Sequence, residues 1–273
     1  MTVDANALEV LVRPAIFLLV FGAMACWEIL APRRTQATHR WSRWPSNIGI
    51  VALNSVLLRL VFPLTAVAWA GFVAQHGFGL LNMVAWPSWL TALAAFVLLD
   101  LAIYLQHRLL HAVPVFWRLH RMHHADTEID VTNGLRFHPL EIGLSMLIKF
   151  AAIAALGAPA WAVLVFEIVL NATSIFNHAN VRIPGPADRV LRWLVVTPDM
   201  HRVHHSVLRP ETNSNFGFNL PWWDRWFGTY RAQPRDGHAN MRIGLPQFRD
   251  PKWLRLDRML IQPWTKPDSS DNG

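Results

Sequence analysis

The chain has 273 residues, of which 53% are hydrophobic and only 16% charged, with a formal net charge of +7. A soluble domain is usually closer to a quarter charged, so this composition argues against an ordinary soluble globule and more strongly against a disordered chain. A single cysteine excludes an internal disulfide, a zinc ribbon and a four-thiolate iron–sulfur site.

Four apolar blocks follow in chain order. The first runs over about 14–30. Its leading residues include Asp4 and Glu9 rather than a basic cluster, and Ala23-Met24-Ala25-Cys26 is a poor lipoprotein cleavage site. It reads as a retained span, with Cys26 as apolar packing. The second runs over about 48–73, interrupted by Asn54, Arg59 and Pro63, and the third over about 89–106, with Asp100 inside it. A helix needs roughly 20 residues to cross a bilayer at about 1.5 Å per residue, so these three are single-span candidates. The fourth, about 140–176, is too long for one crossing and is broken at Gly157-Ala158-Pro159. It predicts a hairpin of helices over about 140–156 and 159–176.

Loop charge sets an orientation. The loop after the first block holds Arg33, Arg34, Arg40 and Arg43 and no acid, whereas about 74–88 holds no charged residue. Cytoplasmic loops carry the excess of Lys and Arg, which puts the first loop and the region near His107 in the cytoplasm. Trp41, Trp44, Trp86 and Trp89 flank the spans as interfacial anchors. Trp222, Trp223, Trp226 and Phe227 form an aromatic stretch suited to the interface. No tandem repeat appears. The basic residues are spread over cytoplasmic segments, which fits anionic headgroups and not nucleic acid. Residues 267–273 read as a fraying polar end.

Ten of the 13 histidines lie between His107 and His205. His107 and His111 form HxxxH; His120, His123 and His124 form HxxHH; His201, His204 and His205 repeat it. At this chain's own His frequency one HxxHH is expected on the order of 0.03 times. Positions i, i+3 and i+4 share a helix face, so each group projects its imidazoles in one direction. Neutral imidazole suits Fe, Zn, Cu and Ni. Eight imidazoles are too many for one ion, and two ions with four or more ligands each fit the count. A hairpin over the fourth block returns the chain to its starting side, so His138 before it and His178 after it join the same face as further candidate ligands. His39, His76 and His238 are isolated and read as non-ligands.

This pattern resembles the fatty acid hydroxylase / sterol desaturase superfamily of integral membrane di-iron oxygenases, and looks closest to its sterol desaturase branch. The resemblance rests on His107–His124, NGLRFHPLE at 133–141, NHANVRIPGP at 177–186, TPDMHRVHH at 197–205 and NSNFGFNLPWWDRWFGTY at 213–230. It covers about half the chain. Acyl-CoA desaturases look related, but their first motif is usually one residue longer. The resemblance implies an all-α membrane bundle with a cytoplasmic helical cap carrying the di-metal site. It implies two iron ions held by His107, His111, His120, His123, His124, His178, His201, His204 and His205, with His138 as a tenth, and O2 as co-substrate. The substrate would be a membrane lipid, sterol-like, fatty acyl or otherwise hydrophobic, and either hydroxylation or desaturation is open.

The corresponding organisation is N-terminal spans over 1–92, a His-rich domain over 93–231 including the hairpin, and a cytoplasmic tail over 232–273. Metal-bound His usually passes its other N–H to a carboxylate, amide or carbonyl. Asp100, Glu141, Asn177, Asn180 and Asp199 are candidates for that role, Asp100 most of all because an ionisable group in a span is costly unless paired. No haem-binding domain, dinucleotide fingerprint or cysteine cluster is present, so a separate ferredoxin or flavoprotein reductase is the expected electron donor. The expected location is a membrane, the inner one in a bacterium, with the metal site on the cytoplasmic side. Two other classes compete. A His-rich membrane metal or haem carrier would place ligands along a path or at axial positions. A membrane zinc hydrolase would need a Glu inside a His motif, and none is there.

Overall fold

The structure, a computed structural model, describes residues 5–266. Asp4 and the polar end at 267–273 lie outside the described residues. Among them the fold is all-helical, and the only β pairing is two isolated bridges. Five segments are long and apolar enough to cross a membrane. They are α1 (Ala5–Leu30), α2 (Trp44–Val61) continued by α3 (Ala66–Gln75), α4 (Ser88–Ala112), α6 (Pro139–Leu156) and α7 (Ala160–His178).

Local sequence explains the breaks. Asn54 and Arg59 lie inside α2, and the chain leaves helix only at Phe62–Thr65, around Pro63. Proline has no N–H to continue the ladder, and Thr65 then caps α3 by accepting from the Ala68 N–H. Two helices, α6 and α7, flank the Gly157-Ala158-Pro159 break. Gly157 ends α6 in the left-handed conformation at φ 68°. A Cβ there would lie 2.5 Å from the Phe78 carbonyl, so the hairpin tip meets the turn after α3 at backbone distance. At 18 residues α6 is about 27 Å long, and the hairpin reaches the same far end as the neighbouring spans.

The spans pack through small side chains. Ala66, Ala70, Ala92, Ala95, Ala158 and Ala162 are buried among Leu99, Ile103, Ile153, Val163 and Phe166. Lipid tails are as apolar as Leu, so close backbone approach rather than hydrophobicity drives this contact. Trp41, Trp86 and Trp89 are exposed near span ends.

The cap comprises α5 (Pro114–His124), α8 (Gly185–Leu191), α9 (Pro198–His204), α10 (Arg209–Thr212), α11 (Trp222–Trp226), α12 (Gly237–Asn240) and α13 (Leu256–Ile261). Prolines sit in the first turn of α5, α8, α9 and α10, where a missing N–H costs nothing. The segment after 231 is not a loose tail up to residue 266. Met241, Ile243, Phe248, Trp253 and Met259 are buried in it, and the Arg121 guanidinium donates to the Gln262 and Thr265 carbonyls.

The Arg-rich loop after α1 straps cap to spans. Arg43 is fully buried; its Nε and Nη2 grip both Asp126 oxygens at 2.7 and 3.0 Å, and Nη1 reaches Asp130 at 2.6 Å. Arg136 extends this layer, donating to Asn47 Oδ1 at 3.0 Å and to the Met122 carbonyl at 2.9 Å.

Candidate metal centre

The cytoplasm-predicted ends of α4 and α7 meet α5 and α9, and nine imidazoles converge there. His107 and His111 come from α4, His120, His123 and His124 from α5, His178 from the end of α7, His201 and His204 from α9, and His205 from the residue that closes it. They sort into two sets whose ligand nitrogens lie within 4.8 Å of one another: His107, His111, His120, His124 and His204, and separately His123, His178, His201 and His205. All are buried except His111, which is partly exposed.

The sorting corrects one expectation. Each HxxHH motif does not project all its imidazoles one way. Residues i and i+4 are about 40° apart around a helix, whereas i+3 and i+4 are about 100° apart. In α5, His120 and His124 therefore enter the five-membered set and His123 enters the four-membered one. In α9 the division is reciprocal, with His201 and His205 in the four-membered set and His204 in the other. The adjacent His-His pairs are what let each short helix serve both centres.

These residues fit two metal ions. The Nε2 atoms of His107 and His120 are 3.1 Å apart, those of His178 and His123 3.2 Å, and those of His201 and His178 3.0 Å. Nitrogens bonded to one ion at about 2.0–2.1 Å stand roughly 3.0–3.4 Å apart in octahedral or tetrahedral arrangements. Nε2 of His111, His124, His204 and His205 is buried without a protein partner. Buried polar atoms without partners are rare and call for an occupant. His123, His124, His201, His204 and His205 are held neutral, as a ligand must be. Burial, with the neighbouring imidazoles adding to it, lowers the His123, His124, His201 and His205 pKa values well below the ordinary 6.5. Burial brings His204 down to about 3.

Partners on the other ring nitrogen fix which nitrogen faces inward. Nδ1–H of His107 donates to the Phe216 carbonyl at 2.8 Å, of His178 to Ser174 at 2.7 Å, and of His204 to Ser214 at 2.8 Å. His120 donates to Glu141 Oε1 at 2.7 Å and His111 to Asn213 Oδ1 at 3.2 Å. Each such bond leaves Nε2 as the free lone pair.

Of the five side chains expected to support the ligands, Glu141 alone touches a clustered His. Asp100 instead accepts from Trp223 Nε1 at 2.8 Å and the Leu220 N–H at 3.2 Å, tying α4 to α11. Asn177 donates to the Phe218 carbonyl, Asn180 pairs with the Arg34 backbone, and Asp199 pairs with Arg33 and Arg202. His138 does not join either set. Both its nitrogens are engaged: Nδ1 accepts from the Leu140 N–H, capping α6, and Nε2–H donates to the Leu260 carbonyl at 3.1 Å. A ring with no free lone pair offers nothing to a metal. His39, His76 and His238 lie outside both sets.

What sequence reading missed is mainly backbone. The Ser174, Ser214 and Phe216 carbonyls carry no side-chain signature. Asn213 and Asp224 were visible in the quoted 213–230 segment. Asp224 accepts from the Phe216 and Gly217 N–H groups, both at 2.8 Å, and so holds the loop whose carbonyls orient His107 and His204. Gly217 permits this, since a Cβ there would stand 2.8 Å from Asp224 Oδ2. Apolar rings close the site: Phe137 stacks on His123 at 4.6 Å, and Phe216 lies edge-on to His107, His111 and His204.

Fold and site together define an all-helical bundle with membrane-length helices and, at one end, two adjacent all-imidazole sets that could each hold a metal ion. The profile of the Fatty acid hydroxylase family matches residues 92–229, half of the chain and the part that supplies all nine imidazoles. The chain belongs to that family. It is 31% identical over 159 residues to an ornithine lipid hydroxylase of Rhizobium tropici, covering 58% of this chain and 47% of that protein. It is 29% identical over 153 residues to the human alkylglycerol monooxygenase, covering 54% of this chain and 32% of that one. A fatty acid hydroxylase from a Lecanicillium species is 25% identical over 195 residues, 63% of this chain and 50% of that protein. The matches thus span about half or less of these curated relatives. No solved structure matches the chain.

Proposed function

We propose that this chain is a membrane-bound oxygenase that uses O2, two iron ions and electrons from a separate donor to hydroxylate a lipid. The observation that carries this reading is the pair of adjacent all-imidazole sets, five and four, buried at one end of a helical bundle. Bound iron would supply the activation of O2 needed to attack an unactivated C–H bond. The protein's own part is positional. Carbonyls of Phe216, Ser174 and Ser214, with Glu141 and Asn213, fix the ring tautomers, while Phe137, Phe216 and Phe218 exclude water from the site.

The relatives' names support hydroxylation rather than desaturation and a lipid as the substrate. Substrate entry from the bilayer is supported by exposed Trp193, Leu194, Trp226 and Phe227 on the cap beside the spans. The Arg-rich loop on the same end as the imidazoles supports a cytoplasmic site, in a bacterium at the inner membrane. Cytoplasmic placement in turn supports a ferredoxin or flavoprotein reductase as donor.

Metal analysis of purified protein should return close to two irons per chain. Cells expressing the chain under 18O2 should accumulate a lipid carrying one labelled hydroxyl that null cells lack. An iron-loaded protein whose expression changes no lipid, or whose product carries unlabelled oxygen, overturns the reading.

A further inference from the structure

A second polar cavity lies on the cap, outside both imidazole sets. Its volume is about 740 Å3, and five guanidinium groups line it: Arg33, Arg182, Arg189, Arg192 and Arg225. Two carboxylates oppose them. Asp199 pairs with Arg33 at 3.1 Å and Asp188 with Arg192 at 2.6 Å. Among the described residues Arg182, Arg189 and Arg225 have no carboxylate partner, so the cavity carries an excess of positive charge.

Two of these groups are built in rather than merely present. Arg192 is only 4% exposed, donates through Nη1 to the Ala232 carbonyl at 2.6 Å, and has no partner for Nη2. Arg225 lies between the Trp193 and Tyr230 rings, at 4.1 and 4.0 Å from their centroids; its Nη2 donates to the Arg192 carbonyl at 2.7 Å, and its Nε is without a partner. A guanidinium clamped by two aromatic faces has its edge fixed, and the donor it has not spent on the Arg192 carbonyl is held in place to meet an oxyanion. Leaving buried donors unpaired is costly, so the arrangement favours a ligand that supplies acceptors.

The cavity wall says where such a ligand comes from. Trp193, which lines the cavity, is 61% exposed, and its chain neighbours Val190 and Leu194, on and just after α8, are 64% and 61% exposed, so apolar surface adjoins the basic cavity. A basic pocket with an apolar rim suits an anion carried on hydrocarbon. We infer that this cavity is an oxyanion-binding site for the phosphate or carboxylate of a lipid headgroup. It needs no metal and no turnover, so it stands or falls separately from the oxygenase reading.

The full chain in neutral detergent is titrated with dioleoyl-phosphatidylglycerol, dioleoyl-phosphatidylcholine and inorganic phosphate, and bound ligand is counted by native mass spectrometry. The expected result is preferential retention of phosphatidylglycerol. The variant R182A/R189A, which changes two exposed side chains, should weaken it about tenfold, the loss of a charge-assisted contact. R255A/R258A removes the same charge elsewhere and should leave it unchanged. Inorganic phosphate that binds with the same dependence on Arg182 and Arg189 and displaces the lipid keeps the oxyanion site and makes a free anion its occupant. Equal retention of both lipids, or equal phosphatidylglycerol binding in wild type and R182A/R189A, overturns the inference.

Discussion

At the scale of single residues, the two metal sets have separate weak points, and each can be struck alone. Glu141 accepts the His120 Nδ1–H at 2.7 Å with both side chains about 2% exposed. A carboxylate there orients the ring and raises its basicity, and loss of such a partner typically costs about 10–100-fold in metal affinity. Glu141→Gln keeps the shape and removes the charge. It should weaken metal binding in the five-imidazole set by roughly that factor, read by chelator competition, and leave the four-imidazole set intact. Gly134 guards the other set. A Cβ at 134 would stand 2.5 Å from the Ser174 carbonyl, the acceptor that holds His178 Nδ1–H. Gly134→Ala must therefore push this turn off α7. Overpacking of this kind costs about 1–3 kcal/mol, and His178 moves with its acceptor. The expected readout is a lower thermal midpoint together with one metal ion per chain in place of two. Retention of both ions at full affinity would refute the link between Ser174 and His178.

At the scale of elements, α5 and α9 are related by exchange. Each gives its i and i+4 imidazoles to one set and its i+3 imidazole to the other. Neighbouring substitutions on one helix should thus have different victims. His124→Ala removes a ligand from the set of five, and His123→Ala one from the set of four. With iron loaded and counted by spectroscopy that distinguishes the two centres, the two variants should deplete opposite ones. Depletion of the same centre by both would sink the assignment. The HxxHH spacing made the convergence of these rings legible, because it is a statement about helix faces. It did not reveal the division between centres, which depends on which neighbour each face meets. The hairpin was legible for a similar reason, since Gly157 and Pro159 interrupt a run too long for one span. His138 was not. Its position before a helix and beside the motifs is shared by a ligand and by a cap, and only the Leu260 carbonyl on its far nitrogen separates the two. Asp100 misled in the same way: a buried acid in a span does need partners, and it finds them in Trp223 and Leu220 rather than in a histidine.

At the scale of the whole molecule, buried ion pairs and hydrogen bonds tie the cap to the spans. The buried Arg43–Asp126–Asp130 layer locks the start of α2 beneath α5. Removing one partner of a buried ion pair leaves charge uncompensated and costs about 3–5 kcal/mol, so Arg43→Ala should lower unfolding stability by that amount in detergent. The neutral imidazoles of His123, His124, His201, His204 and His205 make stability depend on pH as well. Below an unfolded pKa of about 6.5 the unfolded chain takes up protons that the folded cluster refuses. Burial depresses His123, His124, His201 and His205, and brings His204 to about 3. Their contribution is therefore fully present above pH 6.5 and is lost progressively as pH falls from there toward the folded values. Bound metal adds to stability wherever the folded nitrogens are neutral, because it competes with protons for them. Thermal unfolding should accordingly show a drop on chelation at pH 7.5 that persists at pH 5, where a ligand such as His204, with its pKa brought down to about 3, is still neutral in the folded chain. A chelation effect that vanishes at pH 5 would mean that protons reach these imidazoles in the folded chain well above the value burial sets for His204.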